Sequence, residues 1–249
     1  MDGLFESIHH AKSRNKEKRQ LVLNFLSMEG YSNLNNIITL LGIVDKSGCY
    51  RLLRKLISEN LIQKHTLHFE SGDITLWGIT EQGLGECDYD ESSPPVTQAF
   101  EPSRVKFTTL NHTLMNQRVY LTLSKQGWHS WQNGDRQVFK DKYDVEHRPD
   151  AVFTAPTGVN YAIETELTLK TPARYRSILK SHIVAYNKGY WQGAVYVVKG
   201  DNFEKHLNRR FDNVKYIAFD ESRQPFEHYR NDHFIILTLD GLKNLQVTR

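Results

Sequence analysis

Residues 147–170 read HRPDAVFTAPTGVNYAIETELTLK, and this stretch constrains the fold more than any other. A β-prone run over 151–154 meets a turn at Ala155-Pro156-Thr157-Gly158, and the chain returns over 160–169 as its hairpin partner. Side chains alternate along a strand, so Ala162, Glu164, Glu166 and Thr168 share one face. Tyr161, Ile163, Thr165, Leu167 and Leu169 share the other, which is mostly apolar and is expected to pack on a helix. Pro172 opens a long helix reaching about residue 188, a position where proline is favoured. A buried strand follows over 194–198. A hairpin, a helix and an apolar strand in that order require a small mixed sheet covered by helices.

The flanking segments extend that domain. Residues 112–125 read as a helix ended by Gly127, and 128–131 as a strand. Residues 201–211 form a helix, and 215–219 and 234–239 two more strands. The second domain therefore spans 105–249. Trp128, Trp131 and Trp191 are expected in its core or rim.

The first 86 residues have a different pattern. After a loose arm of about twelve residues, Leu21, Val22, Phe25 and Leu26 recur at helical spacing and Gly30 ends the helix. Ser32 is positioned to cap a short second helix carrying Leu34, Ile37, Ile38 and Leu41, stopped by Gly42. Asp45 caps a third reaching about Asn60. Two strand-like runs, 63–69 and 74–79, flank the turn Glu70-Ser71-Gly72-Asp73. Three helices and a hairpin are the order of a winged helix-turn-helix domain. In the third helix Cys49, Leu52, Leu53, Leu56 and Ile57 fall on one face, and Lys46, Tyr50, Arg51, Arg54 and Lys55 on the other. A third helix of this kind lies in the major groove, where such a face supplies phosphate and base-edge contacts. A solvated outer face gives the same stripe, so this placement is an expectation. Residues 87–104, acidic and with paired prolines at Pro94-Pro95, read as a linker.

The bulk numbers narrow the class. In 249 residues the formal net charge is only +3, so nucleic-acid binding must rest on local patches. The basic run at 12–19, the pair Lys180 and Lys188 with His182 between them, and Lys205, Arg209 and Arg210 are ambiguous stripes of that kind. Cys49 and Cys87 lie far apart and form no zinc-binding pair, which fits a reducing compartment. The N-terminus lacks a signal-peptide apolar core and no run reaches membrane-spanning length, so the expected location is the cytoplasm.

The chemistry concentrates on the hairpin. Glu164 and Glu166 stand about 7 Å apart along one strand face, and like charges so close call for a cation. Asp150, just before the partner strand, is expected to reach the same point. Hard oxygen ligands from Asp150, Glu164 and Glu166 favour Mg2+ or Mn2+. A metal so held binds a phosphate oxygen and a water; Glu166 orients or deprotonates the nucleophile, and Lys170 or Arg174 balances phosphate charge. His147 and Arg148 precede the acid and are expected at the same phosphate. An ordinary polar face of an antiparallel hairpin is the competing reading.

Pro149-Asp150, followed after thirteen residues by Glu164-Thr165-Glu166, resembles the PD-(D/E)xK nuclease signature, with Glu166 standing where most members have lysine. Some restriction enzymes resemble this chain in having glutamate there. The whole arrangement, a winged helix, a linker, HRPDAVF, AIETELTLK and Arg174-Tyr175, resembles the MobC-type plasmid relaxases and related replication-relaxation proteins. That resemblance implies an α+β chain whose second domain is restriction-endonuclease-like. It also implies site- and strand-specific nicking of double-stranded plasmid DNA at a transfer origin, locally melted if the enzyme opens its site, beside an accessory mobilisation protein. The histidine triplet of HUH relaxases is missing from the sequence. Whether the nucleophile is water or a tyrosine such as Tyr175 stays open. The alternatives are a DNA-binding regulator or replication initiator with an inactive nuclease-like domain, and a non-specific repair or restriction nuclease.

Overall fold

The structure is a computed structural model; it describes residues 2–88, 96, 98–220 and 222–247, with the side chains of 2–12 left out of the description. The chain is mixed α/β and divides into two compact units, 1–121 and 122–249.

In the first unit the order is α1 (Asp2–Glu29), β1 (Tyr31–Asn33), α2 (Leu34–Leu41), α3 (Lys46–Ser58), β2 (Ile62–Leu67), β3 (Ile74–Ile79), α4 (Glu81–Gly85) and α5 (Phe107–Ser124). The first helix begins at Asp2, where a loose arm was expected. Strands β1, β3 and β2 form an antiparallel sheet in that order, so the expected hairpin gains a third strand. Helix α3 starts where expected, with the Asp45 carboxylate accepting the Ser47 and Gly48 amides. Helix α2 is capped by Asn33, not Ser32. Ser32 instead sits in β1, and its buried hydroxyl donates to Gln117 at 2.6 Å. Val22, Phe25 and Leu26 of α1 meet Ile37 of α2 and Cys49, Leu53 and Leu56 of α3 in one core, which is why the three helices carry their apolar residues at helical spacing. Ile57, expected on that buried face, is exposed.

The expected linker is divided. Residues 89–95, with Pro94-Pro95, and residue 97 lie outside the described residues. Beyond them Phe100 is buried against Leu67, Leu76, Val105, Leu110 and Leu114. A Cβ on Gly78 would lie 2.0 Å from the Phe100 ring, so the glycine makes room for it. Helix α5, expected in the second domain, packs mostly in the first unit. The Gln117 side chain donates to the Tyr31 carbonyl at 2.8 Å and accepts from Ser32 and Asn36. Asn36 also donates to the Leu114 carbonyl, and Arg118 donates to Asn36 and to Thr39. Buried polar groups gain from such contacts only when the whole set is satisfied. The helix is therefore bound to β1 and α2 by side chains that read, in sequence, as an unremarkable polar face.

The second unit continues with β4 (His129–Asn133), α6 (Gln137–Lys142), β5 (Ala151–Thr154), β6 (Asn160–Glu166), α7 (Pro172–Asn187), β7 (Gly193–Val198), α8 (Asp201–Asp212), β8 (Tyr216–Ala218), β9 (Arg223–Pro225), α9 (Glu227–His233), β10 (Phe234–Thr238) and α10 (Leu239–Leu242). Its five-stranded sheet has the order β10-β7-β6-β5-β4. β4, β5 and β6 are antiparallel neighbours; β7 runs parallel to β6 and β10 parallel to β7. Strand β8, expected with the others, pairs among the described residues only with β9, in a separate ribbon. The segment from β5 through β7 follows the expected order, with α7 as the crossover a parallel pair requires.

The face assignment of β6 changes. Ala162 is registered between Val152 and Ala194, and these three share a core with Tyr175, Leu179 and Ile183 of α7. The Ala162, Glu164, Glu166 face therefore lies under α7. The opposite face is covered too: Tyr161 packs against Trp128 in a tilted ring contact, with ring centroids 5.7 Å apart. A central strand covered on both sides has no exposed face, and Glu164 and Glu166 are only 7% and 3% exposed.

Gln117→Ala leaves Ser32, Asn36 and the Tyr31 carbonyl buried without their partner. It should lower unfolding stability by about 1–3 kcal/mol, measured by urea titration against the exposed control Thr109→Ala.

Candidate active site in the second unit

The site is built at the C-terminal end of β6. Asp150 stands one residue before Ala151, which pairs with Ile163, so it comes alongside Glu164 across the hairpin. Its Oδ2 accepts the amide of Thr165, the residue between the two glutamates in sequence, at 2.6 Å. Gly134 makes this approach possible. Its amide donates to the Asp150 carbonyl at 2.9 Å, and a Cβ there would lie 1.9 Å from the Pro149 carbonyl oxygen.

Glu164 is the centre of the arrangement. One oxygen, Oε1, accepts from His147 Nε2 at 2.8 Å and lies 3.0 Å from His182 Nε2. Burial alone would push this carboxyl up, but the two imidazoles outweigh it and hold the pKa at about 2. His182 comes from the middle of α7 and is 2% exposed. His147 comes from the segment before β5. Its backbone is clamped to α7 by Ser181, whose hydroxyl accepts the His147 amide at 3.0 Å and donates to its carbonyl at 3.4 Å. Consecutive residues of one helix thus fix both imidazoles: Ser181 through the main chain, His182 through its own ring.

Glu166 has a separate partner. It pairs with Lys170, and the Tyr175 hydroxyl also bonds it. Burial raises the Glu166 pKa, against the pull of Lys170. Tyr175 is fully buried, accepts the Lys170 amide at 3.2 Å, and its phenol is pushed up, chiefly by burial. That combination gives Tyr175 a structural role in holding the β6–α7 turn and no access to a phosphate, so of the two roles left open for it, packing and nucleophile, the geometry matches packing.

The other expected residues disperse. Arg148 donates to the Gly134 carbonyl at 3.2 Å, bracing the same turn that admits Asp150. Arg174 is exposed in the first turn of α7, where its amide meets the Thr171 cap. Lys46, Tyr50, Arg51, Arg54 and Lys55 are exposed on α3 in the first unit, with Lys55 3.8 Å from Glu59.

The oxygen cage expected from Asp150, Glu164 and Glu166 is not what converges. Among the described residues, the His, Cys, Asp or Glu ligand atoms that gather within 4.8 Å of one another belong to His147, Glu164 and His182. His147 was expected at a phosphate and His182 beside DNA. The missed signal was the spacing of His182: it continues the inward stripe of Tyr175, Ile178 and Leu179, so it falls on the apolar side of its helix.

No protein-family model matches the chain, and no curated protein and no solved structure matches it. Among the described residues no helix is long and apolar enough to cross a membrane.

Removing the acceptor strands two inward-facing imidazoles. Glu164→Ala should cost about 3–5 kcal/mol of stability, whereas Glu164→Gln, which keeps an acceptor oxygen, should cost clearly less. Guanidinium unfolding of the two variants side by side checks the order.

Proposed function

We propose that the chain is a metal-dependent DNA endonuclease of nicking type. The first unit is read as a winged helix-turn-helix that holds a duplex, the second as a restriction-endonuclease-like domain that cuts one phosphodiester. The observation that carries this reading is the hydrogen bond that ties the Asp150 carboxylate to the amide of Thr165, the residue between Glu164 and Glu166, with both glutamates buried on β6 under α7. Buried carboxylates are costly to keep and mark a site with work for charge to do.

The roles follow from the surroundings. Lys170, with a third of its side chain exposed, is suited to neutralise charge on the scissile phosphate. Glu166, raised by burial and paired to that lysine, is suited to accept a proton from an attacking water. Asp150 is held by the Thr165 amide in the position from which it would share a cation with Glu164. A divalent cation, when bound, supplies Lewis acidity to a phosphate oxygen and to the water. Water is the proposed nucleophile, because Tyr175 is enclosed.

The exposed face of α3, with Lys46, Tyr50, Arg51, Arg54 and Lys55, supports duplex contact. The resemblance to MobC-type relaxases narrows the proposed substrate to supercoiled plasmid carrying a transfer origin, with Mg2+ or Mn2+ and an accessory mobilisation protein. A second reading, a DNA-binding regulator with an inactive nuclease-like domain, is favoured by one observation. Each carboxylate already has a donor of the protein's own: two imidazoles, Lys170, and the Thr165 amide.

Nicking separates the two. The protein with Mn2+ or Mg2+ should convert supercoiled origin plasmid to open circles. Asp150→Asn and Glu166→Gln should each reduce the rate at least about 100-fold while keeping DNA affinity; intact binding with no nicking in any metal would leave the regulator. Arg51→Ala with Arg54→Ala should weaken duplex binding and flatten its dependence on log salt by about two phosphate contacts. An unchanged slope in a fluorescence-anisotropy titration would remove α3 from the interface.

A further inference from the structure

We propose that His147, Glu164 and His182 form a binding site for a first-row transition metal ion of the zinc type, one that discriminates against magnesium. The inference goes beyond the cleavage reading and does not depend on it, since metal binding is measured on the chain without DNA.

Three observations carry it. First, both imidazoles present the same nitrogen, Nε2, to one carboxylate oxygen, at 2.8 and 3.0 Å. An ion ligated by nitrogen and oxygen at about 2.0–2.2 Å holds its ligand atoms little farther apart than this, so small side-chain adjustments would admit it. Second, the donor set is two nitrogens and one oxygen. Imidazole suits zinc, iron, copper and nickel, whereas magnesium prefers oxygen ligands and keeps its waters. Third, the site has polar capacity that the protein leaves unused. Tyr196 stands opposite Glu164 in the parallel β6–β7 register, and its hydroxyl is buried with no hydrogen-bond partner among the described residues. A bound ion with a water on its fourth position would give that hydroxyl something to bond.

The geometry also supplies preorganisation and a way in. Ser181 fixes the backbone of His147 while the neighbouring His182 fixes the other ligand. Of the three side chains His147 is the most exposed, at 15%, so entry is past its ring. Three protein ligands with an open position are the arrangement of catalytic, not structural, zinc sites.

The test uses the full chain stripped of metal with a chelator. Titration calorimetry with Zn2+, and visible absorption with Co2+ as the spectroscopic probe, should show one ion per chain in a low-symmetry nitrogen and oxygen environment. An excess of Mg2+ should not displace it. His147→Ala and His182→Ala should each lower Zn2+ affinity at least about tenfold. His9→Ala with His10→Ala, a pair elsewhere in the sequence, should leave it unchanged. Circular dichroism checks folding; if His182→Ala is misfolded, His147→Ala decides alone, because its ring lies on the more exposed side of the cluster. Unchanged Zn2+ affinity in folded His147→Ala, displacement of Zn2+ by an equal concentration of Mg2+, or no ion bound by the folded parent chain would each overturn the proposal. Ion binding with no nicking would instead overturn only the cleavage reading.

Discussion

The second unit depends on how it keeps a carboxylate charged inside a covered sheet. Glu164 lies on a central strand with α7 over it, where an unpaired ion would lose its hydration for nothing in return. Two imidazoles aimed at a single oxygen meet that demand. Most of the local architecture serves to deliver them. α7 must cross over β6 so that His182 lies above the strand, and the segment before β5 must turn inward so that His147 arrives from the other direction. Gly134 and Arg148 shape that turn, and Ser181 locks its end to the helix. The hairpin register then brings Asp150 to the same strand end without any further device.

A buried polar set of a different kind organises the first unit. Ser32, Asn36, Gln117 and Arg118 join β1 and α2 to α5, so the helix that follows the linker belongs mostly to the unit before it. The composition shift over 87–104 still marks a change in the chain, but the chain beyond it first completes the N-terminal core: Phe100 fills the space that Gly78 leaves open. A domain boundary read from composition locates where the sequence is polar. It does not locate where one hydrophobic core closes and the next begins: the composition boundary ends at residue 104 and the first unit at residue 121, most of the way along α5.

Local features of the fold were legible because local chemistry decides them. Asp45 before α3, Gly42 after α2, and Pro172 at the start of α7 are signals whose physics is contained within one turn of helix. The hairpin was legible because period and turn residues agreed. The failures share a cause. Both faces of β6 are buried, and alternation alone cannot tell a strand with one wet face from a central strand carrying two inward carboxylates. Helix α7 approaches the face that the alternation rule left to solvent and metal, because Ala162, Val152 and Ala194 make a flat apolar patch there that no single strand displays. His182 was missed for the same reason: its partner is 18 residues away and becomes visible only when the helix is laid on the sheet.

That placement has a consequence for any metal chemistry at this site. Asp150, Glu164 and Glu166 read along the sequence as a uniform set of hard oxygen ligands, and such a set points to magnesium. In the folded chain the three carboxylates have been differentiated. Glu164 is held down at about 2 by imidazoles, Glu166 is raised by burial against the pull of a lysine, and Asp150 is tied to a backbone amide. Three like groups in one patch would repel; three groups given different partners need not, and their different proton affinities suit them to different tasks. Glu164, held well below the usual carboxylate range by its imidazoles and already facing two nitrogen donors, is the group of the three best placed to hold an ion. Glu166, with the raised pKa and the flexible partner, is the one best placed to exchange a proton. Whichever chemistry the strand end performs, the division of labour between its carboxylates is set by α7 and the segment before β5, and not by the spacing of the acids themselves.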